Sequence, residues 1–93
     1  MVYRVSIARA VADSVSGLHP EIKKELRAAL KYLAENPYFG KELQEELFGF
    51  FSYRFKRYRI NYKVDESRNT IVVYMIGHRR DVYELLAELV NTK

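Results

Sequence analysis

Ninety-three residues, 48% hydrophobic and 30% charged, lead us to expect one small soluble domain whose core needs no covalent staple. The lack of cysteine excludes a disulfide scaffold, a thiolate metal site and a thiol nucleophile, and two separated histidines, His19 and His78, do not make a metal site. The net charge of +4 lies in one half: residues 1–49 carry seven Lys/Arg and seven Asp/Glu, whereas residues 50–93 carry nine against five.

Charge gathered on one side points to an anionic partner. No apolar run is long enough to cross a bilayer, and the N-terminus lacks a signal-peptide pattern. The expected compartment is the cytoplasm, with no membrane partner.

In chain order, Val2-Tyr3-Arg4-Val5-Ser6-Ile7 alternates apolar and polar residues, as a half-buried strand does. Val11, Ala12, Val15 and Leu18 then take helical spacing, with Gly17 placed to end that helix. His19-Pro20-Glu21 opens a second helix: Pro20 suits the first helical position and Glu21 the first turn. Its stripe of Ile22, Leu26, Ala29, Leu30 and Leu33 runs until Asn36-Pro37 stops it. Residues 37–49 read as a connector.

Around Lys56-Arg57 the apolar parity flips from odd (Phe51, Tyr53, Phe55) to even (Tyr58, Ile60, Tyr62, Val64). A hairpin turning there explains the flip and pairs Phe55 with Tyr58, Tyr53 with Ile60 and Phe51 with Tyr62. On the other face Arg54 then opposes Arg59. The turn has neither Asn nor Gly, which tight two-residue loops prefer. Asp65-Glu66-Ser67-Arg68-Asn69 makes the next turn, and Thr70 to Ile76 is apolar on both parities, the mark of an interior strand. Pairing Val64 with Ile71 places Ile76 opposite Arg59 and Tyr74 opposite Asn61.

After Gly77-His78-Arg79-Arg80, Asp81 and Glu84 form a capping box for a last helix with Val82, Leu85, Leu86, Leu89 and Val90 on one stripe and Tyr83 off it. The expected fold is α+β, in the order β-α-α-β-β-β-α. An N-terminal helical hairpin and the C-terminal helix pack on a four-stranded, mostly antiparallel sheet. Its core face would carry Phe51, Tyr53, Phe55, Tyr58, Ile60, Tyr62, Val64, Ile71, Val73 and Met75.

Two like charges opposed across a hairpin disfavour folding by up to about 1 kcal/mol. Either an anion, phosphate above all, is held between Arg54 and Arg59, or both side chains splay into water along a basic edge. Asn61 and Tyr74 flank this pair, Lys56 and Arg57 sit at the turn, Lys63 lies toward the far end, and His78, Arg79 and Arg80 lead to the last helix. No Gly-rich phosphate loop, G-x-S-x-G or H-E-x-x-H is present, and no paired carboxylates aim at the strands. An enzyme built here would work with cations and tyrosines.

The succession Leu47-Phe48-Gly49, Tyr53-Arg54-Phe55-Lys56, Tyr58-Arg59-Ile60-Asn61-Tyr62 and Ile76-Gly77-His78-Arg79-Arg80-Asp81-Val82-Tyr83 resembles the RelE/ParE superfamily of bacterial and archaeal toxins, over essentially the whole chain. The resemblance implies a toxin of a type II toxin–antitoxin system. RelE-like members cut mRNA on the ribosome by attack of a 2′-hydroxyl on the neighbouring phosphate. ParE-like members poison DNA gyrase and lack the basic set. This chain keeps the set, so the RelE-like branch is favoured, with the gyrase poison and a non-toxic basic RNA- or DNA-binding module as alternatives.

On that resemblance Lys56 stands nearest a general base, Arg54 and Arg59 stabilise the phosphorane, Arg79 serves the leaving oxygen and Tyr83 stacks on a nucleotide. His78 or Arg80 could take the part given to Arg79. Arg57, Lys63, Asn61 and Tyr74 complete the expected RNA-binding set. No metal or cofactor is expected. The expected partners are a cognate antitoxin, mRNA and the ribosome, with the free toxin a monomer and the antitoxin complex a hetero-oligomer.

Overall fold

In the computed structural model, which describes residues 2–78 and 90, the alternating N-terminal segment is strand β1, Arg4–Ile7, with Val5 and Ile7 turned to the core and Arg4 and Ser6 exposed. Helix α1, Arg9–Ser16, ends at Gly17, and α2, Pro20–Glu35, begins at His19. The His19 imidazole Nδ1 accepts a hydrogen bond from the Glu21 amide at 3.2 Å, satisfying one of the orphan donors of the first turn. Leu26, Ala29, Leu33 and Ala34 are buried along α2, the face the 3.6-residue stripe dictates, and Asn36 caps the end ahead of Pro37.

Strands β3, Phe51–Phe55, β4, Tyr58–Asp65, and β5, Thr70–His78, form the antiparallel meander that the parity flip requires. Strand β1 adds parallel to β5. The expectation of four strands needs correction. Lys41–Glu42, inside the connector, is a further strand, β2, antiparallel to β3, and the sheet has five strands in the order β1-β5-β4-β3-β2. A two-residue strand is too short to print a period-2 pattern, so the sequence reads as loop there.

The hairpin register is as expected: Phe51 faces Tyr62, Tyr53 faces Ile60, Arg54 faces Arg59 and Phe55 faces Tyr58. On the other side of β4, Val64 does pair with Ile71, but the register then shifts. Tyr62 pairs with Val73 and Asn61 with Met75, so Tyr74 is an extra, bulged residue. Ile76 therefore faces Ile60 instead of Arg59, Gly77 faces Arg59, and Tyr74 does not oppose Asn61. The bulge has a packing cause. Without it Ile76 would point away from the helices, whereas the one-residue insertion buries Ile71, Val73 and Ile76 in a single core. Met75, expected in the core, moves to the opposite face for the same reason.

The core is the helix-facing side of the sheet: Phe55, Ile60, Tyr62, Ile71, Val73 and Ile76 against Val11, Leu26, Ala29 and Leu33. Tyr62 is fully buried, and its hydroxyl donates to the Pro37 carbonyl at 2.9 Å and accepts from the Gly40 amide at 3.0 Å. Burial pushes its phenol pKa up. A Cβ on Gly40 would lie 2.6 Å from that hydroxyl and 3.0 Å from the Ser52 carbonyl, so the loop closes on the sheet only with glycine there. The last helix expected from Asp81, and the side chains of Arg79, Arg80 and Tyr83, lie outside the described residues.

Candidate functional site

Alternation places on the face turned away from α1 and α2 every residue that the core rejects. Strand by strand these include Arg4 of β1, Lys41 of β2, Arg54 of β3, and Arg59, Asn61 and Lys63 of β4. Asp65, in register with Thr70 and Arg4, is the acid that joins them. Five cations and one carboxylate thus share this face among the described residues.

The opposed arginines escape each other by leaning in different directions. Arg54 donates from Nε to the Lys56 carbonyl at 3.3 Å, toward the turn, while Arg59 donates from Nη1 to the Ser52 hydroxyl at 3.4 Å, toward the sheet interior. Arg54 is exposed and its guanidinium carries five N–H donors in all, so one such bond does not exhaust it. Beyond Arg59 in the same row is Gly77, which adds no side chain.

The turn itself is strained. Lys56 takes φ 52, a left-handed conformation that side chains rarely adopt, because the two-residue loop demands positive φ and no Gly or Asn is present. Such strain costs about 1–2 kcal/mol and gathers at functional sites. The Lys56 ammonium reaches the Glu25 carboxylate of α2 at 3.9 Å, both side chains about half exposed; a contact of that kind is worth under about 1 kcal/mol and leaves the lysine available. Arg57, the second turn residue, is exposed.

Asn61, between Arg59 and Lys63 on the same face, is fully buried, yet its amide nitrogen and oxygen have no hydrogen-bond partner among the described residues. Leaving such groups unmet costs about 1–3 kcal/mol. Lys63 places its ammonium 4.6 Å from the centre of the Phe50 ring, and Phe50 meets Tyr74 edge-on at 5.3 Å. His78 is placed differently. It pairs with Tyr58 on the Ile60 side of the sheet, its ring stacked 4.7 Å from the tyrosine, across the strand from Arg54 and Arg59.

Sequence reasoning therefore placed Arg54, Arg59, Asn61, Lys63 and Tyr74 on one face, with Lys56 and Arg57 at its rim. It missed Lys41, hidden in the unrecognised strand, and Phe50. It also missed Arg4, although the polar parity of the first strand would have shown it once that strand was laid beside β5. Tyr38 is a further omission. Its hydroxyl donates to the Glu66 carboxylate, and that bond, with some burial, pushes the phenol up to about 12.

The model of a family described as the ParE toxin of the type II toxin–antitoxin system parDE matches residues 6–83. Toxin RelG of Mycobacterium tuberculosis is 43% identical over 44 residues, 47% of this chain and 51% of that protein, so the match spans about half the length of the curated relative. The toxin–antitoxin complex RelBE2 from the same species contains a chain 28% identical, superposing with a TM-score of 0.77 over 85% of this chain and 93% of its own. A free-state double mutant of E. coli toxin RelE superposes with a TM-score of 0.80 over 100% of both chains at 14% identity, a likeness of fold alone.

Proposed function

The chain belongs to the ParE toxin family of type II toxin–antitoxin systems, within the RelE/ParE superfamily, and from that premise we propose that it is a RelE-like endoribonuclease that cuts mRNA on the ribosome and so stops translation. The observation that carries the reading is the basic face: Arg54 opposite Arg59, with Lys56 strained at the adjoining turn and, among the described residues, one carboxylate to five cations. A surface built only to bind a protein has no need to hold like charges in one register.

In this mechanism the scissile phosphate sits over Arg59 and its row partner Gly77. Arg54 and Arg59 stabilise the charge that develops as the 2′-hydroxyl attacks phosphorus and the bond to the 5′-oxygen breaks, and Lys56, in its neutral amine form after giving its proton to solvent, takes the hydroxyl proton. Arginine stays protonated at neutral pH, so both arginines act through charge. Arg79 is assigned to the leaving 5′-oxygen and Tyr83 to stacking on a nucleotide, on the resemblance. Arg57, Lys63, Asn61 and Tyr74 would position the strand. A cognate antitoxin that covers the basic face would keep the toxin silent; the 28% identical Mycobacterium tuberculosis chain was solved in a toxin–antitoxin complex. The cytoplasm is where mRNA is met, and no helix among the described residues is long and apolar enough to cross a membrane.

The second reading, a ParE-like poison of DNA gyrase without nuclease activity, is favoured by the family whose model matches. Inducing the chain alone in cells separates the two. Rapid loss of protein synthesis with cuts inside reading frames is the expected result; DNA damage while translation continues would replace it with the gyrase reading.

A further inference from the structure

The basic face does not end at Arg59. Arg59, Asn61 and Lys63 alternate along the same side of β4, so the row extends about 13 Å from Arg59 to Lys63 at strand spacing. At its far end β3 has already given way to Phe50, and a groove of about 540 Å³ opens there, lined by Tyr38, Lys63, Asp65, Glu66 and Tyr74 among others. Its size falls within the range of small-molecule and cofactor sites.

The lining is an odd one for a protein that handles a polyanion. Carboxylates repel phosphate, so Glu66 and Asp65 would weaken any backbone contact made there. They suit a base edge instead. Asp65 is already committed: it accepts from the Ser67 hydroxyl at 2.7 Å and the Arg68 amide at 3.3 Å, and faces the Arg68 guanidinium at 3.9 Å. Glu66 is exposed and receives the Tyr38 hydroxyl, which uses one of its four lone-pair positions and fixes its orientation. Two tyrosine rings and a lysine complete the set, faces on which a base stacks and a charge that meets its phosphate.

We infer that this groove is a nucleobase subsite of the same RNA track, in which Glu66 reads guanine between Tyr38 and Tyr74 while Lys63 holds the adjoining phosphate. Guanine is selected by chemistry. Its Watson–Crick edge offers two adjacent donors, N1–H and N2–H, to the two oxygens of one carboxylate; adenine, cytosine and uracil each interrupt their donor with an acceptor. The inference rests on the RNA-cutting reading for the direction of the strand, but the subsite itself requires only that RNA binds.

The test is therefore a binding measurement. Short single-stranded RNAs of one length, differing at one position in base identity, are titrated onto the free chain by fluorescence anisotropy. Wild type should hold the guanine oligonucleotide at least about tenfold more tightly than the adenine or uracil one, the value of a charge-assisted hydrogen bond. Glu66→Gln, an exposed and conservative change, should erase the difference. Tyr38→Ala should weaken all the RNAs, whereas Tyr38→Phe should keep the stacking and relax the preference. Base-independent binding by wild type, or the same guanine preference in Glu66→Gln, overturns the subsite. So does a Glu66→Gln chain that keeps its RNA preference but loses affinity for the antitoxin, which would give the groove to that partner. A chain that prefers guanine here yet makes no cuts in cells would contradict the nuclease reading and leave the subsite standing.

Discussion

Ile60 and Arg59 are neighbours in one strand and answer to opposite demands. Ile60 is fully buried against the helices, and Arg59 faces outward into a row of like charge. The contrast extends over the whole sheet. One face is closed by Tyr62, Val73 and Ile71 and holds the fold together; the other carries five cations, a strained lysine and a buried asparagine whose amide has no partner among the described residues. Each of these features of the second face disfavours folding by a small amount. A protein that retains all of them is using that face for something other than stability.

Substitutions across the sheet should separate these roles. The largest loss of stability is expected from Ile60→Ala, about 2–5 kcal/mol by urea unfolding, because it empties a filled core. Arg59→Ala should leave unfolding within about 1 kcal/mol of wild type and lower RNA cleavage about 10²- to 10³-fold, the loss typical of one preorganised charge partner. If Arg59→Ala unfolds the chain as readily as Ile60→Ala, the two faces are not distinct in function.

Asn61→Leu replaces an amide that has no partner among the described residues by an apolar group of similar volume. It should raise stability by about 1 kcal/mol while slowing cleavage. At the turn, Lys56→Gly should be more stable than Lys56→Ala by about 1 kcal/mol, because only glycine meets φ 52 without strain; both should lose cleavage alike.

The smallest effect concerns pH. Tyr38 titrates at 10.0 when unperturbed and at about 12 beside Glu66 in the folded chain. A pKa raised on folding contributes stability that is fully present below pH 10 and lost as pH rises toward 12. The gap in unfolding free energy between wild type and Tyr38→Phe should be level below that window and shrink through it. A gap that widened there would mean the Tyr38–Glu66 bond does not form.

Much of this was legible in the sequence because it follows from parity. The flip at Lys56-Arg57 is enough to oppose Arg54 to Arg59, and His19-Pro20-Glu21 is enough to start α2. The rest was not legible, for three physical reasons. A two-residue strand such as Lys41–Glu42 has no period to detect. The bulge at Tyr74 answers a packing demand, the burial of Ile76, that a local apolar run does not reveal. Tyr38 and Glu66 are separated by 28 positions and meet only because the loop at Gly40 is pinned by Tyr62.

The central claim is that the basic face cuts RNA, and it can be tested by inducing wild type and the Arg54→Ala/Arg59→Ala variant in cells while mapping new 5′ ends in mRNA. The account predicts ends inside reading frames with wild type and none with the variant, although circular dichroism shows it folded. Equal cutting by both would contradict it, and so would intact mRNA in wild-type cells whose growth has stopped.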